Sequence, residues 1–348
     1  MAELVYAFDL KSNGKIRAGS IPAPSTMLTA WLKKRNSYLR CDSRSEHHLF
    51  VMNILYCGDD GIKRGVLVSI LSLLINGKKH SDEFEKHNSV NNRGAKNHSD
   101  ENPIYSIYIA TIRYENVKPF TEKSAKFLDK LVKKYNPKSF VKLIDATDVF
   151  VKNLPKKNMG SYFTPCSMLR LYADKISELE KCDRILYLDY DVVCCGDISE
   201  FYNTDLTGIE AAGVLDIYGK NFYHYHGLFN FDYMNSGVML FNMAECRKNK
   251  IFEKAVELCA RRWMMLADQA ALNKAISKRK LMPRKYNEQG ERPQEDTILH
   301  HFSNNFKFWP YFRVQKVKPF EVDKIHDVLR ITEYDEILEE YLKLKDNL

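Results

Sequence analysis

From Met52 onward, short apolar runs alternate with amphipathic segments. Asn53-Ile-Leu-Tyr-Cys57 reads as a strand, and Gly58-Asp-Asp-Gly61 as the turn that ends it. Val66, Ile70, Leu73 and Leu74 recur at helical spacing, which predicts a helix over 66–74. A second strand is predicted at 104–112, a helix at 124–135 and a third strand at 141–144. Thr164-Pro165 offers a capping residue followed by one preorganised for a first helical turn, so a helix is expected from there to about Ile176. Further strands are predicted at 209–215, 236–241 and 297–302, and helices at 245–262, 268–278 and 333–345. Strands alternating with helices imply an α/β fold with a mainly parallel central sheet.

Two stretches break this rhythm. Residues 1–51 contain the breaker-rich Ser20-Ile-Pro-Ala-Pro-Ser-Thr26 and a polar run through Lys33, Lys34, Arg35, Arg40, Asp42, Arg44 and Glu46. The expected organisation is an N-terminal extension over 1–51, a catalytic domain over 52–310 and a C-terminal helical segment over 311–348. Disorder is expected in the extension, with Thr26 as a cap for a short turn over 27–32 if any structure forms. Asn76 to Asn102, rich in Asn, His and Lys, reads as a mobile connection.

The segment RILYLDYDVVCCGDIS, residues 184–199, holds a contradiction. Its apolar residues describe a strand buried on both faces, yet Asp189 and Asp191 interrupt it. Buried carboxylates are costly unless paired or bound to metal. Two apart on a strand, the pair is expected to share one face, beyond the C-terminal strand end where open α/β sheets bind ligands. Same-facing carboxylates repel unless a divalent cation neutralises them. An isolated D-x-D is equally a strand end with solvated acids.

Charge and cysteine content narrow the field. The net charge of +8 does not point to nucleic acid, because residues 1–51 supply half of it, with eight Lys/Arg against four acids. No nucleic-acid motif is present, so no nucleic-acid partner is expected. The eight cysteines show no CxxC or zinc-type spacing, which favours free thiols. No run approaches a membrane span, and no signal-peptide pattern opens the chain. A cytoplasmic protein is expected, with peripheral contact at the inner face of the membrane as a further option through the C-terminal segment.

The wider pattern resembles glycosyltransferase family 8, retaining sugar transferases that include bacterial lipopolysaccharide galactosyl- and glucosyltransferases and glycogenin. Besides the D-x-D strand, four segments carry the likeness, over roughly Met52 to Trp309. They are Ile54-Leu-Tyr-Cys-Gly-Asp-Asp60; Ser167-Met-Leu-Arg170; Tyr233-Met-Asn-Ser-Gly-Val-Met-Leu-Phe-Asn242 with Leu266-Ala-Asp-Gln-Ala-Ala-Leu-Asn273; and His301-Phe-Ser-Asn-Asn-Phe-Lys-Phe-Trp309. Gly61, Ile62, Asn304 and Phe308 depart from the family's usual residues.

The resemblance implies a GT-A-type, Rossmann-like nucleotide-diphospho-sugar transferase fold. It implies Cys57, Asp59 and Asp60 as nucleotide contacts and Arg170 at the donor sugar or diphosphate. Asn235 and Ser236 would line the sugar, with Gly237 allowing close backbone approach. Asp268 would hold sugar hydroxyls, Gln269 would face the reacting carbon, and Asp216 would stand near sugar or acceptor. Asp189, Asp191 and His301 would ligate the metal, with Tyr190 between the two acids, and Lys307 would pair with the diphosphate. His301 is preferred to His300 because neighbouring strand residues face opposite ways and Lys307 keeps register with it.

Two carboxylates, an imidazole and two diphosphate oxygens suit octahedral coordination, with Mn²⁺ favoured and Mg²⁺ the alternative. The implied reaction moves glucose or galactose from a UDP-hexose to a glycan or glycolipid acceptor. With an amide at the anomeric carbon, front-face displacement is expected rather than a covalent intermediate. A sugar-phosphate nucleotidyltransferase and an inactive binding subunit are the competing readings. Acceptor choice is expected in loops 77–103 and 217–232, the second of which is rich in aromatics.

Overall fold

The apolar runs assemble into one seven-stranded sheet. The computed structural model describes residues 51–88, 103–159, 165–218, 232–264, 266–307 and 313–348, with the backbone alone described at 77–88, 305–307 and 313. The expected extension, the Thr164 cap, most of the aromatic loop, Phe308 and Trp309 lie outside the described residues. Phe50–Leu348 forms one compact unit.

In chain order the principal elements are β1 (Val51–Cys57), α1 (Lys63–Asn88), β2 (Ile104–Thr111), α2 (Glu122–Tyr135), β3 (Phe140–Asp145), β4 (Arg184–Leu188), β5 (Val192–Cys194), β6 (Ala211–Leu215) and β7 (Met234–Asn242). They continue with α3 (Ile251–Arg261), α4 (Ala267–Ala275), β8 (Arg279–Leu281), β9 (Leu299–His301), β10 (Asn305–Lys307), β11 (Arg313–Gln315) and α5 (Asp335–Leu344). The large sheet has the order β3-β2-β1-β4-β7-β6-β8. β1 to β4 are parallel, as are β6 and β8, while β7 runs antiparallel to both its neighbours. Strand order reverses between β1 and β4, which opens a crevice at their C-terminal ends.

The period of two along β1 divides the core. Ile54 and Tyr56 face a cluster built with α1, α2 and the C-terminal segment, while Leu55 and Cys57 face one built with residues 166–173, α3 and α4. All eight residues of β2 are buried, as expected of a strand covered on both faces. Thr121 caps α2 by accepting from Ser124 N at 3.2 Å. Ile337, Leu338 and Tyr341 of α5 are buried, and α5 packs on α1, so its apolar face is covered by the fold. Among the described residues, no helix is long and apolar enough to cross a membrane.

Several expected elements differ. α1 continues to Asn88, replacing the first half of the expected connection. The segment expected as a helix before the D-x-D strand is a 3-10 turn over Pro165–Tyr172. Cys166 and all residues from Met168 to Tyr172 are buried, and Arg170 Nε donates to Ser167 O at 3.0 Å within it. The helix expected over 245–262 is two, divided where Lys250 adopts the left-handed region at φ 54°.

The central correction concerns the D-x-D segment, which is not one strand. β4 ends at Leu188, and a turn closes through Val192 N donating to Asp189 O at 3.2 Å. β5 then leaves the large sheet and pairs antiparallel with β9. α1 takes the place of a sheet neighbour for β5: Ser72 Oγ accepts from Cys194 N at 2.8 Å, and Asn76 Nδ2 donates to Cys194 O. The two carboxylates therefore occupy a turn, where backbone geometry rather than strand periodicity brings them together.

Candidate active site

The turn at 189–191 lies at the C-terminal end of β4, and the antiparallel β7 brings its N-terminal end beside it. Asp189 N donates to Gly237 O at 2.7 Å. A Cβ at Gly237 would lie 2.2 Å from His301 Cε1 and 2.9 Å from Asp189 Oδ2, so only glycine admits the imidazole and carboxylate here. Gly65, in the first turns of α1, allows a similar approach by Tyr190, whose carbonyl oxygen would stand 2.6 Å from an added Cβ.

β5–β9 pairing sets Val192 opposite His301 and Val193 opposite His300, so the histidines face opposite ways. His301 Nε2 lies 3.4 Å from Asp191 Oδ1 and 3.8 Å from Asp189 Oδ2. His300 contacts Tyr334 Oη at 2.7 Å and Gly290 O at 2.9 Å, and burial pushes its pKa down to about 4. It is His301, and not His300, that stands beside the two carboxylates.

Each carboxylate is gripped through one oxygen. Asp189 Oδ1 accepts from Arg170 Nη2 at 2.8 Å and from Tyr187 Oη at 2.6 Å. Asp191 Oδ2 is paired with Lys318 Nζ. Burial alone would raise Asp191, but the Lys318 ammonium and the His301 imidazole hold its carboxyl well below the usual carboxylate range. Asp189 Oδ2, Asp191 Oδ1 and His301 Nε2 thus face a common point. Ligands about 2.1–2.3 Å from one divalent ion stand roughly 3–4.5 Å apart, which these spacings match. Asp191 Oδ1 and His301 Nδ1 are buried polar atoms with no hydrogen-bond partner among the described residues. The triad is the one compact cluster of metal-ligating side chains among those residues.

Arg170 is the hub of the next layer. It is 4% exposed, and its Nη1 donates to Ser236 O at 2.7 Å and to Ser236 Oγ at 3.2 Å. Its Nε lies 3.2 Å from Asp268 Oδ2, and its Cζ stands 4.1 Å from the Tyr187 ring centroid. Burial would disfavour the charged guanidinium, but Asp189, Tyr187 and Asp268 more than offset this. Burial pushes Asp268 up, and Arg170 only partly reverses that.

Beside this charged layer lies a network of amides. Asp216 Oδ2 accepts from Asn235 Nδ2 at 3.0 Å and from Gln269 Nε2 at 3.1 Å, and Asp216 Oδ1 accepts from Tyr218 N at 2.9 Å. Gln269 Oε1 accepts from Ser236 N at 2.9 Å. Asn235 Oδ1 accepts from Gly237 N at 2.9 Å and Asn287 Nδ2 at 3.0 Å. Asn273 ties α4 to β7 by bonding both the N–H and the carbonyl of Met234, each at 2.7 Å.

Asp189, Asp191, His301, Arg170, Asn235, Ser236, Asp268, Gln269 and Asp216 therefore converge. Cys57, Asp59 and Asp60 lie at the adjoining end of β1. Burial pushes the Cys57 thiol far up, Asp59 caps the following turn by accepting from Gly61 N at 2.9 Å, and Asp60 pairs with Lys63 at 2.9 Å. Lys307 sits in β10, opposite Arg313 of β11, and its side chain lies outside the described residues. Sequence reasoning did not assign Tyr187, Gly65, Asn287 or Lys318 to the site. Tyr187 was within reach, since it precedes Asp189 by two residues. Lys318 carried no local signal.

The model of the family described as "Glycosyl transferase family 8" matches residues 53–312. A lipopolysaccharide 1,2-glucosyltransferase of Escherichia coli is 26% identical over 281 residues, covering 74% of this chain and 73% of that protein. A lipopolysaccharide 1,3-galactosyltransferase of Salmonella typhimurium is 30% identical over 146 residues, covering 40% of this chain and 41% of that protein. Among solved structures, the galactosyltransferase LgtC in complex with donor and acceptor sugar analogs superposes with a TM-score of 0.56 at 15% identity, over 85% of this chain and all of LgtC. That likeness shows the GT-A fold. With the family match spanning most of the chain, over the elements that carry the clustered residues, the protein belongs to glycosyltransferase family 8.

Proposed function

We propose that this glycosyltransferase moves a hexose, glucose or galactose, from a UDP-sugar to a glycan or glycolipid acceptor, with retention of anomeric configuration. The relatives' names favour a surface glycan as acceptor. The observation that carries the reading is the convergence of Asp189 Oδ2, Asp191 Oδ1 and His301 Nε2 on one point. These residues would hold Mn²⁺ or Mg²⁺, which when bound supplies Lewis acidity to the leaving diphosphate.

The chain's own residues do the remaining work. Arg170, enclosed between Asp189 and Asp268, keeps both carboxylates oriented and the charge balanced in a buried layer. Asp59, Asp60 and the backbone at Cys57 would receive the nucleotide at the end of β1, and Lys307 would pair with the diphosphate. The amide network would present a preorganised polar wall to the sugar.

Gln269 is poorly placed to act as a nucleophile. Its carbonyl oxygen is already bonded to Ser236 N and its amino group to Asp216, so it positions groups around the anomeric carbon. Retention then proceeds by front-face attack, the acceptor hydroxyl passing its proton to the departing phosphate as the sugar–oxygen bond breaks. A covalent sugar adduct on Asp268 or Gln269 in mass spectrometry would contradict this.

The direct test screens UDP-glucose and UDP-galactose for hydrolysis without acceptor, with and without Mn²⁺. Mn²⁺-dependent release of UDP is expected. Release of pyrophosphate from a nucleoside triphosphate and a sugar phosphate would instead identify a nucleotidyltransferase, and no turnover with any nucleotide sugar would leave only a binding role.

A further inference from the structure

Asp191 shows its two oxygens to different partners. Oδ1 faces His301, while Oδ2 is held by the ammonium of Lys318, which lies 127 positions further along the chain. Lys318 Nζ also donates to Phe302 O at 3.2 Å and stands 5.6 Å from the Tyr190 ring centroid. An ammonium has three donors. Two are engaged by these oxygens, and the third has no protein acceptor among the described residues.

A second cation, Arg170, grips Asp189 in the corresponding way, but the two are not equivalent. Arg170 has a 5% exposed side chain, with donors committed to Asp189, Ser167 and Ser236 and with Asp268 beside it. Lys318 has a 23% exposed side chain on a flexible four-carbon stem. It therefore combines a charge beside the proposed metal-ligating oxygens with a donor that has no acceptor among the described residues, on a partly exposed stem.

Such a charge acts in opposite directions on the two ligands of the proposed reaction. A lone divalent ion meeting Asp191 must share that carboxylate with an ammonium and is repelled by it. A diphosphate entering with the ion supplies oxygens that Lys318 can contact, turning the repulsion into a shared attraction.

We propose that Lys318 is a tethered second cation of the donor site. It contacts the diphosphate beside the metal and makes metal binding and nucleotide binding depend on each other. This rests on the UDP-sugar reading above.

The experiment measures Mn²⁺ affinity by the EPR signal of the free aquo ion, with and without saturating UDP, in the wild-type protein and in Lys318→Met, Lys318→Gln and Lys318→Arg. In the wild type, UDP should tighten Mn²⁺ binding. In Lys318→Met, Mn²⁺ alone should bind about 10-fold more tightly, and the gain from UDP should shrink by about 10-fold. Lys318→Gln keeps a hydrogen-bond donor for Asp191 without the charge and should behave the same, which carries the test if the Met variant melts early. Lys318→Arg should keep most of the coupling.

An undiminished gain from UDP in the Met or Gln variant overturns the proposal. So does weaker binding of Mn²⁺ alone in the Gln variant, which would make the lysine a support for Asp191 only. If UDP does not tighten Mn²⁺ binding in the wild type, the UDP-sugar reading fails first, and this inference with it.

Discussion

Two adjoining parts of the site use carboxylates in opposite ways. In the amide network, Asp216, Asn235 and Gln269 satisfy one another and the neighbouring backbone. In the Asp189/Asp191/His301 cluster, one oxygen of each acid is held, while the other faces the imidazole without a hydrogen bond from it. A satisfied polar network specifies shape, since each member's orientation is dictated by its partners. A cluster with buried polar atoms left without a hydrogen-bond partner among the described residues is poised for a ligand that brings charge. On the proposed function, the first would face the neutral sugar and the second a cation and its diphosphate.

The largest effects should come from breaking the charged half. Asp191→Ala removes a proposed cation ligand, and transfer should fall on the order of 10³-fold or more, with Mn²⁺ binding lost by EPR. Because Lys318 would lose its partner, melting should be followed in parallel. Full transfer by both Asp191→Ala and Asp189→Ala would remove any metal role from the pair.

An intermediate effect is expected in the amide network. Gln269→Ala should lower kcat about 10²-fold while leaving Mn²⁺ affinity near the wild-type value. A comparable loss of Mn²⁺ affinity would show that the two halves are one energetic unit. The mildest test is Tyr187→Phe, which removes only the hydroxyl donating to Asp189 Oδ1. Mn²⁺ affinity should drop about 10-fold, as for other groups that orient metal ligands, and stability should change by about 1 kcal/mol. An unchanged affinity would mean that Arg170 alone suffices to orient Asp189.

The same division runs through what could be read from the sequence. The apolar periodicities at 53–57, 104–112 and 141–144 correspond to β1, β2 and β3, because burial on one or both faces of a strand is written locally. The grouping of Asp189 and Asp191 with His301 was implied by the resemblance to the family, whose segments recur in the same order along this chain. The expected reason for the Asp189–Asp191 pairing did not hold, since the acids lie in a turn rather than along a strand. The two short apolar runs flanking it give no hint that they enter different sheets. β5 pairs instead with β9, more than a hundred residues away, while Ser72 and Asn76 of α1 engage Cys194.

Local sequence by itself determined the chemistry on offer: which polar groups exist, and that the runs at 53–57, 104–112 and 141–144 are apolar enough to form strands. Tertiary structure decided which donors meet. The antiparallel course of β7 carries Asn235, Ser236 and Gly237 to the end of β4, and the C-terminal segment delivers Lys318 to Asp191. A lysine in a polar stretch has the same local signature whether it ends in solvent or against a buried carboxylate. Only the fold, by enclosing Asp191 from a distance of 127 residues, distinguishes the two.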